Sequence, residues 1–202
     1  MTFINTIPPK QASGRLGKIY TRMQAPDGQV DNVFLAHSLR PHTMEGHMAL
    51  YKAALHHSGN QLPEWYLEAV GVLVSQLNGC DYCAKHHAAG LRRLLEAMRM
   101  DYKAYMAALD QPDVGEPFTV REQLGLAYAR KLTYTPGHIE LADVDGLRKA
   151  GLDDGEILEL NQVVAYFAYA NRTVSGLGVN TEGEILGLSP ATGDDESAWT
   201  HG

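Results

Sequence analysis

Apolar positions along this chain recur every three or four residues, and alternating runs are almost absent. That period marks helices that bury one face, whereas alternation would mark strands. Met44, Met48, Tyr51 and Leu55 form the first clear stripe, after Ser38 and an early helical Pro41. Gly59-Asn60 stops it. Leu62-Pro63-Glu64 opens a second helix with Leu67, Val70, Leu73, Val74 and Leu77 on one face, broken at Asn78-Gly79. A third starts near Cys80 and runs through Leu91, Leu94, Leu95 and Met98, and helical patterning continues through Tyr102, Tyr105, Met106 and Leu109. Gln111 to Pro117, with two prolines and Gly115, is the clearest linker. Beyond it Thr119 and Glu122 have capping-box spacing. That helix passes through Leu124, Ala127, Tyr128 and Leu132 and ends near Thr135-Pro136-Gly137. Leu141 to Ala150 predicts a short helix closed by Gly151. Asp153 or Asp154 caps the next, which carries Ile157, Leu160, Val163, Val164 and Phe167 as far as Asn171. The expected fold is all-α. The halves containing Glu68 to Leu95 and Glu122 to Val174 share a loose helix-turn-helix style.

Composition narrows the class. The chain has 202 residues, 17 Lys+Arg against 24 Asp+Glu, a formal net charge of −7 and 45% hydrophobic residues. This length suits one domain, expected over residues 1–188. Its first 30 residues, rich in Pro, Gly and Lys, read as an extended arm. The acidic segment 189–202 reads as a disordered tail. The acidic balance offers no basic face to displace counterions, so no nucleic-acid partner is expected. The start, MTFINTIPPK, lacks the features of a secretory signal. The longest apolar runs, Ala69–Val74 and Val163–Ala170, fall far short of the ~20 residues that span a bilayer. A cytoplasmic protein with no membrane partner is expected.

The chemistry concentrates around the two cysteines, Cys80 and Cys83. They are too few and too close to staple a secreted fold, and their short loop would remove little unfolded-state entropy. Cys80, Cys83 and His87 share one helical face, with Cys80 in the first turn. Unpaired backbone N–H groups and the positive dipole end favour a thiolate there, so a CxxC at a helix start lowers a thiol pKa. If the preceding helix packs antiparallel across Asn78-Gly79, Glu68 reaches His87. An orienter, a base and a nucleophile then stand together. Plainer readings remain open: two small buried side chains, or a zinc site, for which a fourth ligand is missing. His37, His42 and His47 suit surface or capping roles. His56-His57 suit a helix C-terminus. Tyr166 and Tyr169 suit a core or a subunit interface.

Glu68, Cys80, Cys83 and His87 resemble in type and spacing the E-x11-C-x2-C-x3-H signature of the AhpD-like superfamily, which includes alkyl hydroperoxidase D and the carboxymuconolactone decarboxylases. Leu132-Thr133-Tyr134-Thr135-Pro136-Gly137, Leu147-Arg148-Lys149-Ala150-Gly151-Leu152 and Tyr166 to Arg172 look like its peroxidase-related branch. The resemblance covers roughly Ser38 to Val179. It implies an AhpD-like helical fold, a homo-oligomer, no cofactor or metal, and peroxide reduction by thiols. Cys83 would be the thiolate that attacks peroxide. Cys80 would resolve it as a Cys80–Cys83 disulfide. His87, held by Glu68, would relay protons, and an external dithiol would re-reduce the pair. One position departs from alkyl hydroperoxidase D: Tyr82 stands where that family has a histidine. With an ordinary pKa near ~10, tyrosine is a poor base at neutral pH, which shifts the relay onto His87. Alternatives are a non-catalytic redox-sensing or metal-binding module, and a decarboxylase-like enzyme using Glu68 and His87 alone.

Overall fold

The computed structural model describes residues 2–25, 28–190 and 192–194. Its helices are α1 (Gly14–Met23), α2 (Asn32–Ala36), α3 (Pro41–Leu55), α4 (Glu64–Leu77), α5 (Asp81–Ala97), α6 (Tyr102–Leu109), α7 (Val120–Tyr134), α8 (Leu141–Lys149) and α9 (Asp154–Leu177). Short 3-10 turns occupy Pro9–Gln11 and Pro136–His138. The fold is all-α, with no strand among the described residues. No helix among them is long and apolar enough to cross a membrane.

α4 lies at the centre. Every residue from Trp65 to Ser75 is buried, and the helix packs most extensively on α5, then on α9 and α7. Two glycines permit that closeness. A Cβ at Gly71 would overlap the Phe167 ring of α9, and one at Gly125 of α7 would overlap the Tyr66 hydroxyl of α4. Local chemistry ends the helices where the sequence indicates. Thr119 with Glu122 and Asp153 with Glu156 form capping boxes at α7 and α9. Gly79, at φ 66°, supplies the left-handed residue that turns α4 back into α5.

Three expectations need correction. The first 30 residues are not an extended arm: α1 buries Leu16, Ile19, Tyr20 and Met23 at helical spacing. The Tyr20 hydroxyl donates to the Ile7 carbonyl at 2.9 Å. The high Gly and Lys content hid a four-residue apolar stripe that only tertiary burial rewards. α9 also continues past Asn171 to Leu177, because Val174 extends its buried face, and Gly178 at φ 64° closes it. The segment expected as a disordered tail is docked where it is described. Ser189 and Pro190 are buried, Thr192 donates to Glu64 at 3.0 Å, and the Gly193 N–H donates to the His56 carbonyl at 3.1 Å. Residues 191 and 195–202 of that segment lie outside the described residues.

Candidate active site

The α4–Gly79–α5 turn decides the site. Folding back at Asn78-Gly79 sets Glu68, in the second turn of α4, against His87 in the second turn of α5. The imidazole Nδ1 and the Glu68 carboxylate are 2.7 Å apart, and both side chains are buried. With Nδ1–H donated to the carboxylate, the second ring nitrogen is left for proton exchange. Gly90 lies against this pair: a Cβ there would sit 3.4 Å from the Glu68 carboxylate, an ordinary van der Waals contact.

Cys80 is the N-cap of α5, and Cys83 lies in its first turn. Both are free thiols, with their sulfurs 3.1 Å apart. The Cys83 thiol, the Cys83 backbone N–H, Ser175 and Asn171 together lower the Cys80 pKa to about 6 against the cost of burial. Cys83 is pushed up, first by its hydrogen bond with Cys80 and then by burial. Of the two thiols, Cys80 is the more acidic. The first cause of the difference is the hydrogen bond between the two sulfurs, which lowers Cys80 and raises Cys83.

Cys83 rather than Cys80 lies among the residues lining a small cavity of about 60 Å³. Around it stand Glu68 and His87, with Phe34, Tyr51 and Tyr166 as aromatic walls. Cys80 packs behind, with Ala36, Val174 and Val179. The segment after α9 closes the cavity with Gly187, Leu188, Ser189 and Pro190. Glu184 fixes this strap. It accepts from the Tyr82 hydroxyl at 3.0 Å, meets His86 Nε2 at 3.1 Å, and accepts from the Asn32 backbone N–H. The Tyr82 pKa is raised well above its ordinary value, by burial and then by the Glu184 charge. Tyr82 thus anchors the strap, and its phenol is no base.

These contacts carry residues 41–96 of the chain, which match the carboxymuconolactone decarboxylase family. The whole fold matches solved structures. One is an uncharacterised peroxidase-related protein from Silicibacter sp. TM1040, at 26% identity, TM-score 0.72, 88% of this chain and 87% of that one. A second is a peroxidase-related protein with an alkylhydroperoxidase AhpD core, from Ralstonia eutropha JMP134. It matches at 22% identity and TM-score 0.75, over 89% of this chain and 91% of that one. Over residues 41–96 the chain thus resembles the carboxymuconolactone decarboxylase family, and its whole fold is that of the AhpD-core protein. A third match is a cysteine-to-alanine variant of the debrominase Bmp8 in complex with 2,3,4-tribromopyrrole. It shares the fold at 19% identity and TM-score 0.68, over 91% of this chain and 95% of that one. None of the curated proteins compared with the chain matches it.

Glu68, Cys80, Cys83 and His87 come together in space. Several neighbours escaped the sequence. His56, read as a helix terminator, does cap α3. Its ring also meets Glu64 at 2.9 Å and stands 3.8 Å from the far oxygen of Glu68. His37 and His47, read as surface or capping groups, are buried and bonded to each other at 3.1 Å. Tyr82, His86 and Glu184 form the strap anchor. Only Tyr82 and His86 lay near the motif, and nothing in the sequence pointed to Glu184, nearly 100 positions away. No group of three or more His, Cys, Asp or Glu side chains suited to a metal ion occurs among the described residues.

Proposed function

We propose that the protein is an enzyme, a dithiol peroxidase that reduces small apolar hydroperoxides through Cys83 and Cys80. The observation that carries this reading is a pair of free cysteines 3.1 Å apart, with one member lining an apolar cavity beside a buried carboxylate–imidazole pair. His87, oriented by Glu68, takes the Cys83 proton as that sulfur attacks a peroxide oxygen. The S–O bond forms, the O–O bond breaks, and the alkoxide regains the proton from His87. The Cys80 thiolate then attacks the Cys83 sulfenic sulfur. The S–S bond forms, and hydroxide leaves and takes one further proton to become water. An external dithiol reduces the disulfide by exchange.

The test is single-turnover oxidation with cumene hydroperoxide, then steady-state turnover with dithiothreitol, in wild type, Cys83→Ser and Cys80→Ser. Wild type forms the internal disulfide. Cys83→Ser does not react, and Cys80→Ser stops at a trappable sulfenic acid. Equal peroxide consumption by all three proteins overturns the reading.

The aromatic walls favour one second reading. A flat halogenated heteroaromatic fits them, and the same pair could reduce a carbon–bromine bond, releasing bromide as the disulfide forms. Bromide release from a bromopyrrole, compared with peroxide turnover, separates the two. We also propose a homo-oligomer in the cytoplasm. Tyr134, Leu141 and Leu158 are exposed apolar side chains that a second copy would cover. Light scattering that gives a monomer refutes this.

A further inference from the structure

A second hydrogen-bonded chain ends at the cavity that Glu68 and His87 line. Tyr166 and His47 both line the cavity, and the Tyr166 hydroxyl is 3.1 Å from His47 Nε2. His47 Nδ1 is 3.1 Å from His37 Nε2, and His37 Nδ1 is 2.9 Å from the Thr43 hydroxyl. Thr43 is exposed, while His37, His47 and Tyr166 are buried. Four side chains from the α2–α3 connection, α3 and α9 thus link the cavity to the surface without a gap. Buried polar groups need partners, but a single partner each would satisfy that need. Here each imidazole uses both nitrogens, one toward the surface and one toward the cavity.

The end of the chain sets its polarity. The Thr43 hydroxyl has two acceptors in reach, the Arg40 carbonyl at 2.8 Å and His37 Nδ1. When it donates to Arg40, His37 must donate from Nδ1, His47 from Nδ1, and Tyr166 to His47. When it donates to His37, every bond reverses and the Tyr166 O–H is released toward the cavity. Neither state needs a charged imidazole. That suits His47, whose pKa burial and the nearby His37 lower to about 3. Burial lowers His37 in the same way.

We propose that Thr43, His37, His47 and Tyr166 form a proton wire and that Tyr166 is the catalytic residue at its inner end. This rests on the peroxidase reading, which leaves one proton to be supplied to the departing hydroxide. In the inward polarity Tyr166 gives its proton to that hydroxide, forming water. The His47 Nε2 proton moves to Tyr166, the His37 Nε2 proton to His47 Nδ1, and the Thr43 proton to His37 Nδ1. Solvent then reprotonates Thr43. Re-reduction of the disulfide by the dithiol releases one proton, whose exit through Tyr166 returns the wire to the inward state. His37 and His47 are positioning residues in this scheme.

Two measurements test the wire separately from the activity. Long-range nitrogen–proton NMR correlation on histidine-labelled reduced protein at pH 7 reads the tautomers. Both imidazoles are expected neutral, and Thr43→Val is expected to shift His47, which Thr43 does not touch. A doubly protonated ring, or a His47 signal unmoved by Thr43→Val, overturns the wire. In turnover with cumene hydroperoxide and dithiothreitol, Tyr166→Phe and Thr43→Val are each expected to lower kcat at least tenfold with KM unchanged. Thr43→Ser is expected to recover the rate lost in Thr43→Val. Unchanged kcat in both Tyr166→Phe and Thr43→Val overturns the catalytic role. If wild type consumes no peroxide, the peroxidase reading fails instead, and the tautomer spectra alone decide for or against the wire.

Discussion

Replacing Cys83 by alanine should abolish the acidity of Cys80. In the reduced protein the Cys83 thiol is the first cause of the lowered Cys80 pKa, ahead of the backbone N–H, Ser175 and Asn171. At a pKa of about 6, roughly nine-tenths of Cys80 is thiolate at pH 7. Losing the largest donor while the sulfur stays buried returns the group toward the ordinary thiol value of ~8.5, where only about 3% is ionised at pH 7. The thiolate population therefore falls about thirtyfold. Thiolate absorbance at 240 nm, titrated in reduced wild type, Cys83→Ala and Cys80→Ala, measures this. Wild type should show one thiolate per chain, titrating near pH 6, and Cys83→Ala should titrate above pH 8. In Cys80→Ala, Cys83 should titrate lower than it does in wild type, because it loses its hydrogen bond with Cys80. A midpoint that stays near 6 in Cys83→Ala would assign the acidity to the helix terminus alone and refute the sulfur–sulfur hydrogen bond as its first cause.

The same titration has a stability consequence. Between about pH 6 and ~8.5 Cys80 is ionised in the fold and protonated in the unfolded chain, so the unfolded state binds more protons and stability rises with pH. Urea unfolding of the reduced protein should show that rise in wild type and lose it in Cys80→Ala. Glu68→Gln leaves His87 without its charged partner and should lower peroxide turnover about 10²-fold, measured with dithiothreitol as donor. Gly71→Ala forces a methyl into the Phe167 ring and should cost about 1–3 kcal/mol in thermal or urea unfolding, whereas an unchanged midpoint would mean α4 and α9 can separate freely. Glu184→Gln removes the charge that Tyr82, His86 and the Asn32 N–H share, and should speed hydrogen exchange in residues 182–190 more than in α4.

Much of the fold could be read along the chain, because its helices carry their own punctuation. Thr119 and Asp153 start helices by local hydrogen bonds, and Asn78-Gly79 ends one by local conformational freedom. Those signals involve residues within a few positions of one another. The motif behaved in the same way. Cys80, Cys83 and His87 share a face because of helical period alone, and Glu68 reaches them through one tight turn.

What local spacing could not carry is everything assembled across distance. The α1 stripe was weak until Leu16, Ile19, Tyr20 and Met23 found a core to enter. Glu184 meets Tyr82 and His86 across about a hundred residues, and His47 meets Tyr166 across 119 positions. Which cysteine is the more acidic was equally out of reach. Two thiols three residues apart look equivalent in a sequence. They differ only once one becomes an N-cap that also meets Ser175 near the end of α9, and the other lines the cavity. Residue types and short-range period decided which groups could do the chemistry, since propensity and capping act between neighbours. Burial, charge placement and proton routes were decided by tertiary packing, since desolvation and hydrogen bonding depend on groups that only the folded chain brings together.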